Sequence, residues 1–434
     1  MMRAYLGQTA WLLLERVLRL GLGAAVSILM ARALGPGGFG HLSAAQAILA
    51  VISPFAALGL DALTVRWLLA QPLDAGRLLS TLLCTKVVAA LLAQSGLLLA
   101  CGLLPRPEAG LVALLSSVLL FQVPLTLDQY FQSRVRGRLS ALAQIAALLL
   151  CGGLKLAMVY WGSSVYWFAA AIAAEAAIIA LLLFRSFLML PDRPHLERPS
   201  PALSREKLRQ SFPLILSTVV ATLFVSTDQL MLRTLAGAAA VGIYAAAVRL
   251  TEAWYALLIV MASSVFPAIV QRALAGDKHA HDRQMQIFYE ISLLLSVIVA
   301  LPVSLFARQV IALLYGAQFA QSATVLVVHI WAGVFIGWRL LSGKWMLAEG
   351  LIRLSMYRSL WGLALNLSLA WVLIPRYGVA GSAWAALAAN AMVGLVSDLF
   401  NPLTRGQGIL KLRSLRLEET RSLTRAMLLR ARAA

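Results

Sequence analysis

Twelve ionisable side chains interrupt long apolar stretches of this 434-residue chain. The basic ones are Arg16, Arg19, Lys86, Lys155, Arg249 and Arg339; the acidic ones are Glu15, Asp128, Glu175, Asp228, Glu252 and Glu290. A charge at the centre of a membrane helix costs roughly 2.5–3.5 kcal/mol, so it faces a bundle interior, a watery cavity or a partner. Glu15 and Arg19 are four apart, in the order that favours a pair on one helix face. Arg249 and Glu252 are three apart and can also meet. Lys86 and Lys155 have no acid within four residues, so each requires a partner from another helix or an anionic substrate. Asp128 and Glu290 lie near the ends of their stretches, within reach of the interface.

Other chemistries have less support. His279 and His281 stand two apart on a short polar segment and read as solvated, so no metal site is expected. No Gly-rich loop with a following Lys and Ser or Thr is present to cradle a nucleotide phosphate. No cofactor is expected, and the chain does not read as an enzyme. Cys84, Cys101 and Cys151 all lie in apolar runs, without pairing or ligand spacing.

The elements that must position these charges follow from composition. Residues are 61% hydrophobic and 13% charged, with a mean hydropathy of +0.83. A soluble domain carries about 25% charge, so the chain reads as an all-α, multi-pass membrane protein. A spanning helix needs about 20 mostly apolar residues. Twelve stretches qualify: 8–31, 40–60, 79–104, 109–131, 139–160, 163–185, 211–233, 239–270, 285–307, 320–343, 355–375 and 378–399.

Lysine and arginine set the orientation. Alternate connections carry only Arg32, Arg106, Arg233, Arg308 and Arg376, whereas the others hold seventeen basic residues and the segment from 401 adds eight. Both termini are therefore expected in the cytoplasm. The net charge of +19 falls where anionic headgroups lie, and no basic module interleaved with aromatics suggests nucleic acid.

The chain also repeats itself. ARALGPGGFG at 31–40 and LRTLAGAAAVG at 232–242 share an Arg, a Leu two residues on, a small-residue turn and a closing Gly. They follow the first and seventh stretches, with the polar segment 191–210 between them. The expectation is a six-helix half over 1–190, a cytoplasmic linker over 191–210, a second half over 211–400, and a basic amphipathic tail over 401–434. Six is even, so the repeat is parallel, with a central cavity between the halves. In the tail, Leu412, Leu415, Leu417, Leu423, Met427 and Leu428 recur at helical spacing, as in a helix lying on the membrane surface.

STDQLMLRTLAGAAAVGIYAAAVRLTE at 226–252 resembles the seventh and eighth helices of Wzx-type polysaccharide (O-antigen) flippases, through Asp228, Gly242, Tyr244, Ala245 and Arg249. These belong to the multidrug/oligosaccharidyl-lipid/polysaccharide (MOP, MATE-like) exporter superfamily. ARALGPGGFG, LLYGAQFAQSA at 313–323 and YGVAGSAWAALAA at 377–389 are similar to further turns of that family. The resemblance implies a flippase that moves a polyprenyl-diphosphate-linked oligosaccharide across the bacterial inner (cytoplasmic) membrane for surface polysaccharide biosynthesis. Its expected partners are that lipid-linked oligosaccharide, membrane lipid and the polysaccharide polymerase machinery. Arg16, Arg19, Lys86, Lys155, Arg249 and Arg339 would neutralise the diphosphate, and Tyr244, Trp254 and Tyr255 would meet sugars. Glu15, Asp228 or Glu252 would couple an ion. The alternative is an ion-coupled multidrug or cation antiporter of the same superfamily, and six intramembrane cations suit an anionic substrate better.

Overall fold

The computed structural model describes residues 2–71, 73–275 and 277–421. Among them the regular structure is helical throughout: α1 (Met2–Ala57), α2 (Asp61–Ala70), α3 (Ala75–Ala100), α4 (Arg106–Ser116), α5 (Val118–Phe121), α6 (Leu125–Ser133), α7 (Gly137–Tyr160), α8 (Val165–Leu188), α9 (Pro201–Ala236), α10 (Ala238–Ala275), α11 (Lys278–Tyr315), α12 (Ser322–His329), α13 (Ala332–Ala348), α14 (Ile352–Tyr377), α15 (Val379–Ala391), α16 (Ser397–Phe400) and α17 (Arg405–Ser414). A π-helical turn, Met392–Val396, joins α15 to α16.

Ten stretches are long and apolar enough to cross a membrane, and the bent pair α12–α13, broken by 40°, makes an eleventh. The first stretch, Ala10–Ala57, covers 48 residues, or about 72 Å at 1.5 Å per residue. That is more than twice the roughly 30 Å hydrocarbon core. Gly35 interrupts it with φ 68° and ψ 174°, a conformation open essentially to glycine alone. Two spans therefore meet at Gly35, and twelve crossings account for the described helices. Gly237 lies between α9 and α10, also with a positive φ, 86°. Gly162, before α8, and Gly378, before α15, form a second matched pair of left-handed glycines, with φ 63° and 58°.

The chain forms two compact units, Met1–Ser226 and Thr227–Ala434. Unit one buries two apolar clusters. Leu42, Ala90, Leu111, Leu119 and Phe168 centre one of them, and Leu78, Leu127, Tyr130 and Phe187 centre the other. In unit two, Met285, Tyr289, Trp338 and Leu341 form the main cluster. Many leucines stay exposed, among them Leu92, Leu99, Leu150, Leu305 and Leu313, because the solvent for these helices is lipid.

Three observations stand beside the sequence expectations, and the burial of His281 corrects one of them. Unit one does not close at the polar linker but continues to residue 226, within α9. The linker itself is held to unit one: Arg136 donates to both carboxylate oxygens of Asp192 at 2.6 and 2.9 Å, and the Ser200 amide donates to Thr81 Oγ1 at 3.0 Å. His281 is buried rather than solvated, while His279 is exposed. The tail beyond Arg421 lies outside the described residues, and with it Leu423, Met427 and Leu428. Its described part, α17, packs against α11. It buries Gln407, Leu410, Lys411 and Ser414 there and leaves Leu412 and Leu415 exposed. The polar face is thus the docked one, because buried carbonyls and a carboxylate in unit two receive it.

Candidate functional sites within each unit

In unit one, polar groups of α1, α6 and α7 lie together. Glu15 is buried on α1 and accepts from Arg19 Nε at 2.6 Å. The same guanidinium donates to Gln144 Oε1 on α7 at 2.9 Å. Gln144 Nε2 in turn donates to Ser140 Oγ at 3.1 Å. Asp128 on α6 accepts from Gln132 Nε2 at 3.1 Å and lies beside Ser140; its other oxygen is buried without a close hydrogen bond among the described residues. Such an oxygen costs about 1–3 kcal/mol, or more when charged. A coordinated cation, or a donor on a bound substrate, would remove that cost.

The two lysines resolve differently from a pair of free cations. Lys86 on α3 is 2% exposed and pairs with Asp61 at the start of α2. Lys155 on α7 donates to Glu175 on α8 at 2.6 Å, with both side chains mostly buried. Each therefore has the inter-helix carboxylate its burial requires. Arg16, one residue after Glu15, is exposed, because it points away from the α1–α7 seam that holds its neighbour.

Unit two holds a second polar set. Asp228 on α9 is 5% exposed. It accepts from Ser382 Oγ on α15 at 3.4 Å, and Tyr244 on α10 and Asn366 on α14 flank it. The Tyr244 ring stands edge-on to His329 on α12, with centroids 6.0 Å apart. His329 Nδ1 lies 2.9 Å from Thr251 Oγ1 and 3.2 Å from Tyr255 Oη. Tyr255 also donates to the His329 carbonyl. A file of hydroxyls, an imidazole and a carboxylate thus runs through the apolar core, from α15 to α12.

The three aromatics expected to meet sugars are placed differently from one another. Tyr244 and Tyr255 are buried within the unit, because their hydroxyls are turned toward Asp228 and His329. Trp254 is half-buried, packed over Gly333, where an added Cβ would lie 3.0 Å from its Nε1. Glu252 is exposed and Arg249 half-buried; the Arg249 charge acts on both Glu252 and Tyr315. Arg339 lies apart from this file, beside Arg358, with its Nε buried and without a hydrogen-bond partner.

Asp61, His329, Asn366 and Ser382 were not singled out by sequence. His329 carried a usable signal, since it is a lone imidazole in the apolar run VLVVHIWAG. Asn366 and Ser382 carried none, because small polar residues are common in membrane helices.

Residues 6–272 match the family model described as polysaccharide biosynthesis protein, and 213–372 match the model described as MatE. No curated protein matches the chain in sequence. Among solved structures, the lipid II flippase MurJ in an inward closed conformation superposes with a TM-score of 0.73 at 13% identity, covering 96% of this chain and 93% of that one. An inward-facing multidrug resistance MATE family transporter of the MOP superfamily gives 0.70 at 15% identity, covering 93% and 96%. A MOP superfamily transporter from Pyrococcus furiosus gives 0.60 at 15% identity, covering 96% and 95%. The fold is that of MOP superfamily exporters.

Proposed function

We propose that this chain, which belongs to the polysaccharide biosynthesis protein family, is a flippase for a polyprenyl-diphosphate-linked oligosaccharide. It carries the diphosphate and sugars from the cytoplasmic to the outer leaflet of a bacterial inner membrane, with both termini in the cytoplasm. The observation that carries this reading is the family match over residues 6–272. The intramembrane cations support it, since a diphosphate cannot cross hydrocarbon unaccompanied.

Arg16, Arg19, Lys86, Lys155, Arg249 and Arg339 are the cations assigned to the diphosphate. Arg19, Lys86 and Lys155 wait on carboxylates, which keep them charged without substrate. A diphosphate competes with Glu15, Asp61 and Glu175 for these cations, so loading exchanges one ion pair for another. Asp228 is the coupling group: a buried carboxylate ringed by neutral donors takes up a proton or a small monovalent cation to balance its charge.

The test is flipping by purified protein in liposomes, with a fluorescent polyprenyl-diphosphate disaccharide and a leaflet-selective quencher. Protein-dependent loss of protection supports the reading, and none at any ion gradient overturns it. The MatE match over 213–372 favours the alternative, an ion-coupled antiporter of cationic drugs. Gradient-driven ethidium efflux without lipid flipping would establish that alternative instead.

A further inference from the structure

The first turns of α9 are set firmly against unit one. Trp67 Nε1 on α2 donates to Gln210 Oε1 at 3.0 Å. Lys207 lies 5.1 Å from the centre of the Trp67 ring. It donates to Glu206 Oε1 at 3.0 Å, and Gln210 Nε2 donates to the same oxygen at 3.1 Å. Toward α3, Ser204 Oγ lies 2.8 Å from Thr85 Oγ1. With these faces held, the side chains that α9 turns outward are held in place too.

Beside the contact with α3 runs a groove of about 430 Å³, within the usual range for small-ligand sites. Cys84, Val88, Ala89 and Leu92 on α3 form one wall, and Pro201 and Leu208 on α9 belong to the other. The α3 residues recur every three or four positions, so they make a single stripe. The hydroxyls at the foot of the groove are already used. Thr81 donates to the Arg77 carbonyl at 2.7 Å and accepts from the Ser200 amide at 3.0 Å, and Thr85 donates to the Thr81 carbonyl at 2.7 Å. The surface left over is apolar. Val88 is 52% exposed and Leu92 69%, so the groove opens toward hydrocarbon. From Thr81 to Leu92 the helix rises about 16 Å at 1.5 Å per residue, half of a hydrocarbon core of about 30 Å. That is the depth of one leaflet, and so of one acyl chain.

Leu208 also lines an adjoining cavity of about 820 Å³, together with Arg205, Arg209 and Phe212. Arg205 and Arg209 are one turn apart and exposed, so their donors are accessible. Glu206, the acid in this lining, is paired with Lys207. Neither arginine makes an ion pair among the described residues. Two cations without a counter-charge thus stand beside the polar end of an apolar groove one leaflet deep. The basic-residue count puts this end at the cytoplasmic surface, where anionic headgroups lie.

We propose that this groove binds one anionic glycerophospholipid of the cytoplasmic leaflet, with its phosphate on Arg205 and Arg209 and one acyl chain along the Cys84–Leu92 stripe of α3. The bound lipid stays in its leaflet and is not the translocated molecule. Its binding requires neither a diphosphate nor a coupling ion, so the site stands or falls independently of the flippase reading.

The test is photolabelling of the full chain in phosphatidylcholine nanodiscs carrying a trace of phosphatidylglycerol with a diazirine in its acyl chain. The control trace is phosphatidylcholine with the same diazirine, and peptide mapping reads the label on residues 81–92. In wild type the phosphatidylglycerol probe should label this stretch about tenfold more than the control, the scale set by two arginines near an anionic headgroup. Arg205→Gln combined with Arg209→Gln should bring the two probes level. Ala89→Trp fills the groove and leaves every charge in place; it should also remove the preference, and it decides the matter if the double variant misfolds. Equal labelling by the two probes in wild type, or an undiminished preference in either altered protein, overturns the proposal. Labelling that unlabelled polyprenyl diphosphate displaces and unlabelled phosphatidylglycerol does not would assign the groove to the lipid-linked substrate and overturn it as well.

Discussion

Gly35 and Gly237 both take a positive φ, 68° and 86°, at the corresponding connector of the two units. Each lies a few residues after an arginine, Arg32 and Arg233, and each begins the second helix of its unit. A Cβ added at Gly237 meets nothing within 4 Å, so the backbone angle alone excludes other residues. Gly237→Ala is expected to cost about 1–2 kcal/mol. Thermal unfolding in detergent should register this as a lower midpoint, and an unchanged midpoint would show that the turn relaxes freely.

Lys155 and Glu175 separate structure from substrate. Lys155→Met alone leaves Glu175 buried and uncompensated, at about 3–5 kcal/mol, so membrane abundance should fall. Lys155→Met with Glu175→Gln should restore abundance. If Lys155 also receives the diphosphate, glycan export stays lost in the double variant at matched protein level. Full export by that variant would confine Lys155 to holding α7 on α8.

Asp228 has no ion pair among the described residues, so its charge is kept at a cost in stability. Asp228→Asn preserves the shape and a hydrogen-bonding side chain. Unfolding temperature should rise while ion-driven flipping is lost, the usual opposition between stability and function. Retained flipping with the same ion dependence would remove Asp228 from the coupling role.

The Arg136 guanidinium holds the Asp192 carboxyl below its ordinary pKa. A depressed carboxylate contributes stability above its unfolded pKa, near 3.9, and loses it as pH falls through the lower folded value. Amide exchange over residues 192–200, corrected for intrinsic rates, should therefore accelerate as pH drops from about 5 to 2. Asp192→Asn should remove this pH dependence. An unchanged profile in that variant would show that the clip does not order the linker.

Orientation has its own check. In a background lacking Cys84, Cys101 and Cys151, Ser200→Cys should resist a membrane-impermeant thiol reagent in intact cells, whereas Ala236→Cys should react. Labelling of position 200 before 236 would reverse the topology.

Spans and repeat were legible because hydropathy and a left-handed glycine act within a few residues of chain. Gly35 shows where that ends: the turn was readable, yet only the structure reveals one non-helical residue between two long helices. The Glu15–Arg19 pair was legible because its members are four residues apart on one helix, but the pairs made between helices were not. Lys86 meets an acid 25 residues before it and Lys155 an acid 20 residues after it, separations that no helical period marks. The group around Asp228 draws on α9, α10, α14 and α15, and only packing brings four such helices to one carboxylate. In α17, leucine spacing suggested a lipid-facing stripe, but the buried face is set by Asp398 and the Gly394 carbonyl, which lie outside that helix.

The first turns of α9 belong to unit one: Gln210 accepts from Trp67 Nε1 at 3.0 Å, and Ser204 bonds Thr85 at 2.8 Å. During synthesis the N-terminal unit therefore stays unfinished after its sixth crossing has emerged. Until the ribosome has delivered the start of the seventh helix, Trp67 and Thr85 lack these partners, and a nascent chain paused near residue 200 offers an incomplete surface to insertases and proteases. A gene split within the polar linker, for co-expression of two halves, would cut through a folding unit.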